Sequence, residues 1–245
     1  YPEFRMALVG EVSRLGLNVS TVAELDSGIT TDDSIEEIIK KIALADSRAI
    51  QTTAERLDVK SFKSVVDAWD AASTIGIFGL ASSGYVAMDL QLKLNRQAKN
   101  AVAWRDAHTA LTSVSLLKPG DCLVAISHSG TTLDVVGVIE EFKARGITII
   151  LITNAIRSTA TALADHVLHT SARETTFRSG ATSSRIAQLT VVDCLCVALA
   201  QRNWSGTKSA LDQSRTAVGS RSGKKIGDVK DIALSPTKSR IRGGK

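Results

Sequence analysis

"DCLVAISHSGTTLDVVGVIEEFKARGITIILIT", residues 121–153, decides how the chain folds. DCLVAI reads as a buried strand, and ITIILIT is a second apolar run rich in β-branched residues. Between them LDVVGVIEEFKARG carries a helical pattern. Two buried strands joined by a helix must pair in parallel, because a parallel pair needs a long crossover. Outward from this unit the alternation continues. TIGIFG and NAVAW precede it and HVLHT follows it, with helical stretches between them at GYVAMDLQLKLNRQA, HTALTSVSLL and STATALAD. GATSSRIAQLTVVDCLCVALAQRN closes the unit as a last helix. The expected fold is α/β: a three-layer sandwich of flavodoxin-like kind, with a five-stranded parallel sheet flanked by helices and preceded by helices.

Those preceding helices are legible too. Ser34 and Glu37 form a capping box, and Ile35, Ile38, Ile39, Ile42, Leu44 and Ala45 build an apolar face. KSFKSVVDAWDAAS is a second helix. The chain opens on Tyr1 with YPEFRMALVGEV, which reads as a helix already under way, so a fragment or a truncated product is expected.

The net charge of +5 hides an asymmetry. Residues 202–245 hold eleven of the 30 Lys and Arg but three of the 25 Asp and Glu, so this tail is +8 and the rest, with 19 bases against 22 acids, is −3. Residues 203–245 are rich in Gly, Ser and Lys without a sustained apolar period, and are expected to be a disordered, solvated tail. The three cysteines, Cys122, Cys194 and Cys196, sit in apolar runs and read as reduced thiols of a cytoplasmic protein. No metal site is expected. No run of eighteen apolar residues exists, so no membrane span is expected either.

The turn between the first quoted strand and its helix is Ser127, His128, Ser129, Gly130, Thr131, Thr132. It lies where open α/β sheets bind ligands, beyond a strand's carboxyl end, and it opens a helix whose free N–H groups attract anions. Ser127, Ser129 and Thr132 add hydroxyls, Gly130 lets a backbone come close, and no acid stands among the six. This reads as a phosphate cradle; without a ligand the same turn is a hydroxyl-rich helix cap. GIFGLASSGYVA supplies a similar loop through Gly79, Ser82, Ser83 and Gly84. The G-x-G-x-x-G dinucleotide fingerprint and the Gly-Lys-Ser/Thr of a nucleotide P-loop are both absent.

GLASSG, ISHSGTT and ETTFRSGATSSRIAQLTVVD together resemble the sugar isomerase (SIS) domain, and more narrowly the RpiR-type transcriptional regulators. The resemblance covers residues 1 to about 202. It implies residues 1–25 as the remnant and exit helix of a helix-turn-helix domain, and 32–202 as a SIS domain that senses a phosphosugar. Ser83, Ser127, Ser129 and Thr132 would hold the phosphate, with Ser82, Gly84 and Gly130 beside them. His128 would reach the ligand through its backbone N–H or face solvent. Asp106 and His108 match a loop near the sugar. Glu174 matches the Glu of the family's Glu-Thr-x-x-Arg-Ser-Gly stretch, near which a Glu acts as base in SIS isomerases, or it forms an ion pair with Arg178 that fixes the last helix. The first loop departs from the family pattern at Ala81, where a second glycine is usual, and at Ser82, where a smaller residue is. The resemblance further implies a homodimer or tetramer, no cofactor, and contact with operator DNA only through the helix-turn-helix that is largely missing. Three functions stay open: the sensing half of a regulator, an aldose–ketose phosphosugar isomerase, and a dimerisation module that binds no small molecule.

Overall fold

The computed structural model describes residues 28–174 and 184–219. The expected exit helix at 1–25, Arg178-Ser179-Gly180 and the chain beyond 219 lie outside these residues. Five strands form one parallel sheet: β1 (Ile75–Gly79), β2 (Ala101–Trp104), β3 (Cys122–Ile126), β4 (Thr148–Thr153) and β5 (His166–His169). Their order is β2-β1-β3-β4-β5. The chain therefore moves outward from β1 to one side, then crosses back and builds the other. Gly79 pairs with Ile126 at the shared carboxyl ends of β1 and β3, the switch point of the sheet.

Alternation along the strands divides the core. Ile75, Ile77, Val124, Ile126, Ile150 and Ile152 join one cluster. Phe78, Leu123, Ala125, Ile149 and Leu151 join the other. On the first face lie α1 (Ile35–Arg56), α2 (Val59–Ala71), α3 (Ala81–Arg96) and α7 (Ser184–Arg202). On the second lie α4 (Ala107–Thr112), α5 (Leu133–Ala144) and α6 (Thr159–Leu163). The buried carboxylate of Asp121 ties the entry to β1 to the entry to β3: it accepts from the backbone N–H groups of Ser73, Thr74 and Lys118 at 2.8–3.0 Å.

HTALTSVSLL does not run as one helix. Ser113 closes α4 and a 3-10 turn follows at Val114–Leu116. The isoleucine stripe of α1 is left partly open by its own chain: Ile35 is 78% and Ile39 62% exposed. The helix buries Lys41, Ala49 and Thr53 instead. Lys41 is satisfied there by Asp33 and by the carbonyl of Gly28 at 2.7 Å. α7 is the one described helix long and apolar enough to cross a membrane, yet Ala187, Val191, Val192, Leu195 and Leu199 on it are core residues.

The expected disordered tail is corrected at its start. Residues 204–219 form a further helix, α8 (Trp204–Gly219), against α3 and α7. Asn203 begins it by accepting the N–H of Gly206 at 3.1 Å. Thr207 is buried and Ala210, Leu211 and Ser214 are half-buried, at helical spacing. Leu211 is the one large apolar side chain among these four, so there was no apolar period to read.

Candidate functional site

Gly79 brings the first turn of α3 onto the end of β1. A Cβ there would stand 2.6 Å from the carbonyl oxygen of Ser83. Ser82, Ser83 and Gly84 are all buried in this turn. Ser83 Oγ lies 3.4 Å from Oε1 and 3.3 Å from Nε2 of Gln188 on α7. The Ser82 hydroxyl has no hydrogen-bond partner. Ala81, where the family pattern has glycine, takes a left-handed φ of 47°.

At the neighbouring strand end the loop 127–132 is shaped by its own hydroxyls. Ser127 is buried and accepts the N–H of Gly130 at 3.1 Å. Ser129 is exposed and accepts the N–H of Thr131 at 3.3 Å. The following segment clamps this loop from behind. Thr153 Oγ1 donates to the carbonyl of His128 at 3.2 Å, Asn154 N–H to the same oxygen at 3.1 Å, and Ala160 N–H to the carbonyl of Gly130 at 3.0 Å. Gly130 is required at its φ of 63°, and a Cβ there would stand 2.2 Å from Ser158 Oγ. The glycine thus answers to the turn and to Ser158. Thr132 caps α5 with its backbone but makes no side-chain cap bond. The first turn of α5 leaves N–H groups without intrahelical partners beside it. Asp134, exposed in that same turn, is the nearest acid in sequence.

His128 is half-buried and its Nδ1 has no partner. His108 is exposed on α4. Asp106 caps α4 through the N–H of Thr109 at 2.7 Å. Those bonds from Thr109, with His108 and Arg105 adding to them, hold its carboxyl below the usual carboxylate range. A cavity of about 480 Å³ joins this loop to the first turn of α3; Ala81, Tyr85, Trp104, Arg105, Asp106 and Thr109 line it. His108 is not among its walls. Arg105 lies over the Tyr85 ring, 5.9 Å from its centroid. Arg105 and Tyr85 carried no signal in sequence, because neither belongs to a spaced motif. Gln188 did, as part of Arg185-Ile186-Ala187-Gln188, but its contact with Ser83 spans more than a hundred residues.

Glu174 accepts the N–H of Ser184 at 2.8 Å through one oxygen, so it caps α7; its other oxygen has no partner. Arg178, its expected ion-pair partner, lies outside the described residues. Burial pushes the thiols of Cys122 and Cys196 up to about 12, which leaves both protonated and unreactive. Among the described residues no three His, Cys, Asp or Glu side chains are grouped to hold a metal ion.

The SIS domain family model matches residues 70–198. A helix-turn-helix-type transcriptional regulator of Caldanaerobacter subterraneus subsp. tengcongensis is 37% identical over 198 residues, 81% of this chain and 70% of that protein. The Vibrio vulnificus NanR protein complexed with ManNAc-6P superposes with a TM-score of 0.72 at 27% identity, over 91% of this chain and 77% of that one. The sugar isomerase domain of the RpiR transcription factor from Sphaerobacter thermophilus superposes with a TM-score of 0.67 at 20% identity, over 74% of this chain and 99% of that one, a likeness of fold.

Proposed function

Because this chain belongs to the SIS domain family, on the side of its helix-turn-helix-type transcriptional regulators, we propose that it is a phosphosugar-sensing effector unit. The observation that carries this reading is the meeting of two serine-bearing loops at the switch point, where Gly79 pairs with Ile126. Ser83 follows β1 on one side of it, and Ser127, Ser129 and Thr132 follow β3 on the other. The N-terminus of α5 adds oriented N–H groups and a partial positive charge. NanR, seen with ManNAc-6P, makes a phosphorylated amino sugar the first ligand to try. In this reading the sugar extends from the phosphate toward the cavity walled by Arg105 and Asp106, and DNA contact belongs to a helix-turn-helix upstream.

A sensor fits the residues better than an isomerase. Aldose–ketose exchange needs a base poised over the sugar carbons. Glu174 gives one oxygen to the N-terminus of α7 and leaves the other without a partner, but neither Glu174 nor His108 lines the cavity.

Calorimetric titration tests the reading. ManNAc-6P, other phosphosugars and their unphosphorylated parents are titrated into wild type and Ser129→Ala. A hydrogen bond to a charged group contributes about 1.5–3 kcal/mol. Ser129→Ala is therefore expected to weaken a phosphosugar about tenfold to a hundredfold. The unphosphorylated parents are expected not to bind. Equal affinity for a sugar and its phosphate would leave ISHSGTT an ordinary helix cap. Turnover of any phosphosugar would make the chain an enzyme.

A further inference from the structure

Gln188 is fully buried on α7, and the Ser83 hydroxyl stands almost equally far from both ends of its amide. Both separations exceed those of good hydrogen bonds, about 2.7–2.8 Å for O–H···O and about 2.9–3.0 Å for N–H···O. Ser83 has one proton. If it donates to Oε1, only lone pairs remain to face an anion, and those repel it. If instead Nε2 donates to Ser83 Oγ, the proton is free to turn toward a phosphate oxygen. The two arrangements are mutually exclusive, and a buried amide must adopt one or the other.

One turn before Gln188 on the same helix is Ser184, fully buried, with a hydroxyl that has no partner. Its N–H is held by Glu174, so its place is fixed. It stands four residues before Gln188, on the same face of α7, with its hydroxyl proton not committed to another partner.

We propose that Gln188 is a positioning residue for the phosphate site: anion binding at Ser83 reverses the Ser83–Gln188 hydrogen bond and so reports occupancy to α7. The proposal rests on the phosphate reading of the two loops and adds a route out of them. α7 packs on α1, α2, α3 and α8, and α1 is the helix that follows residues 28–34 at the N-terminal side of the domain. A change in the amide is therefore felt next to the segment that leads toward any upstream domain.

The test is an NMR titration of the full chain with inorganic phosphate, followed at the loop amides and at the side-chain NH₂ of Gln188. Variants Q188M, S83A and the double variant are titrated alongside. Shifts at the amides of residues 129–133 together with a shift of the Gln188 NH₂ support the proposal. So does a loss of about tenfold in phosphate affinity for Q188M and for S83A, with about tenfold rather than a hundredfold for the double variant. A merely structural role for Gln188 gives additive losses. Additive losses, an unchanged Q188M, or loop shifts with a silent Gln188 NH₂ overturn the proposal and leave the phosphate site standing. Silence at the loop amides of the wild type, against phosphate and the phosphosugars alike, removes the site itself. Should Q188M fail to fold, the wild-type NH₂ signal still decides.

Discussion

Ala81 is an L-residue held where glycine belongs. Its φ of 47° costs a residue with a Cβ about 1–2 kcal/mol. Part of that is offset because glycine loses more freedom on folding. Ala81→Gly is therefore expected to stabilise the chain by about 0.5–1 kcal/mol and raise Tm by about 2 °C. A urea melt with an unchanged or lower midpoint would show the position to be relaxed as it stands. The departure from the family's glycine was legible in sequence, but its consequence was not. Only the backbone angle separates a harmless methyl from a strained one. The same holds for Ser127. Its hydroxyl was expected to face a ligand, and it already holds the N–H of Gly130. A hydroxyl both donates and accepts, so residue type alone does not say where it is engaged.

Helix boundaries followed from capping chemistry. Ser34 and Glu37 start α1, Asp58 starts α2 by accepting from Ser61, and Asp106 starts α4. Each of these carboxyls is held below its usual range: Glu37 by Ser34, Asp58 by Ser61, Asp106 by Thr109. Asp33 is lowered by Lys41 first and Thr30 second. A depressed folded pKa gives stability that is fully present above the unfolded value and lost as pH falls through the folded one. Thermal melts are thus expected to be flat from neutral pH to about pH 5 and to decline below about pH 4, where model carboxylates protonate. A Tm that rises on acidification would contradict the direction of all four shifts. α8 shows where such signals ran out. Asn203 is a good cap, yet nothing apolar followed it at helical spacing strongly enough to be read against a background of Gly, Ser and Lys.

The layers and all five strands were legible: β1, β3 and β4 are buried on both sides and read as apolar runs, while the half-buried edge strands β2 and β5 stood out as short runs between helical stretches. Assembly was less legible, since an apolar stripe does not say whether its cover is the same chain. Here the cover is incomplete. Ile35 and Ile39 on α1 are open, and so are Tyr85, Met88 and Leu92 at helical spacing on α3, 46–62% exposed. A homodimer or larger assembly is the expected state. Sedimentation at micromolar concentration should give at least twice 26.0 kDa, and Leu92→Glu should shift it toward one chain with helicity retained. A wild type sedimenting as a single chain would refute this. The clamp behind residues 127–132 has a different consequence at this scale. Ordering a residue's backbone costs about 1–2 kcal/mol in conformational entropy. Here Thr153, Asn154 and Ala160 impose that order when the sheet forms, whether or not an anion arrives. An anion docking at this loop therefore meets a shape that already exists, and the favourable enthalpy of its contacts is not consumed in freezing the chain around it.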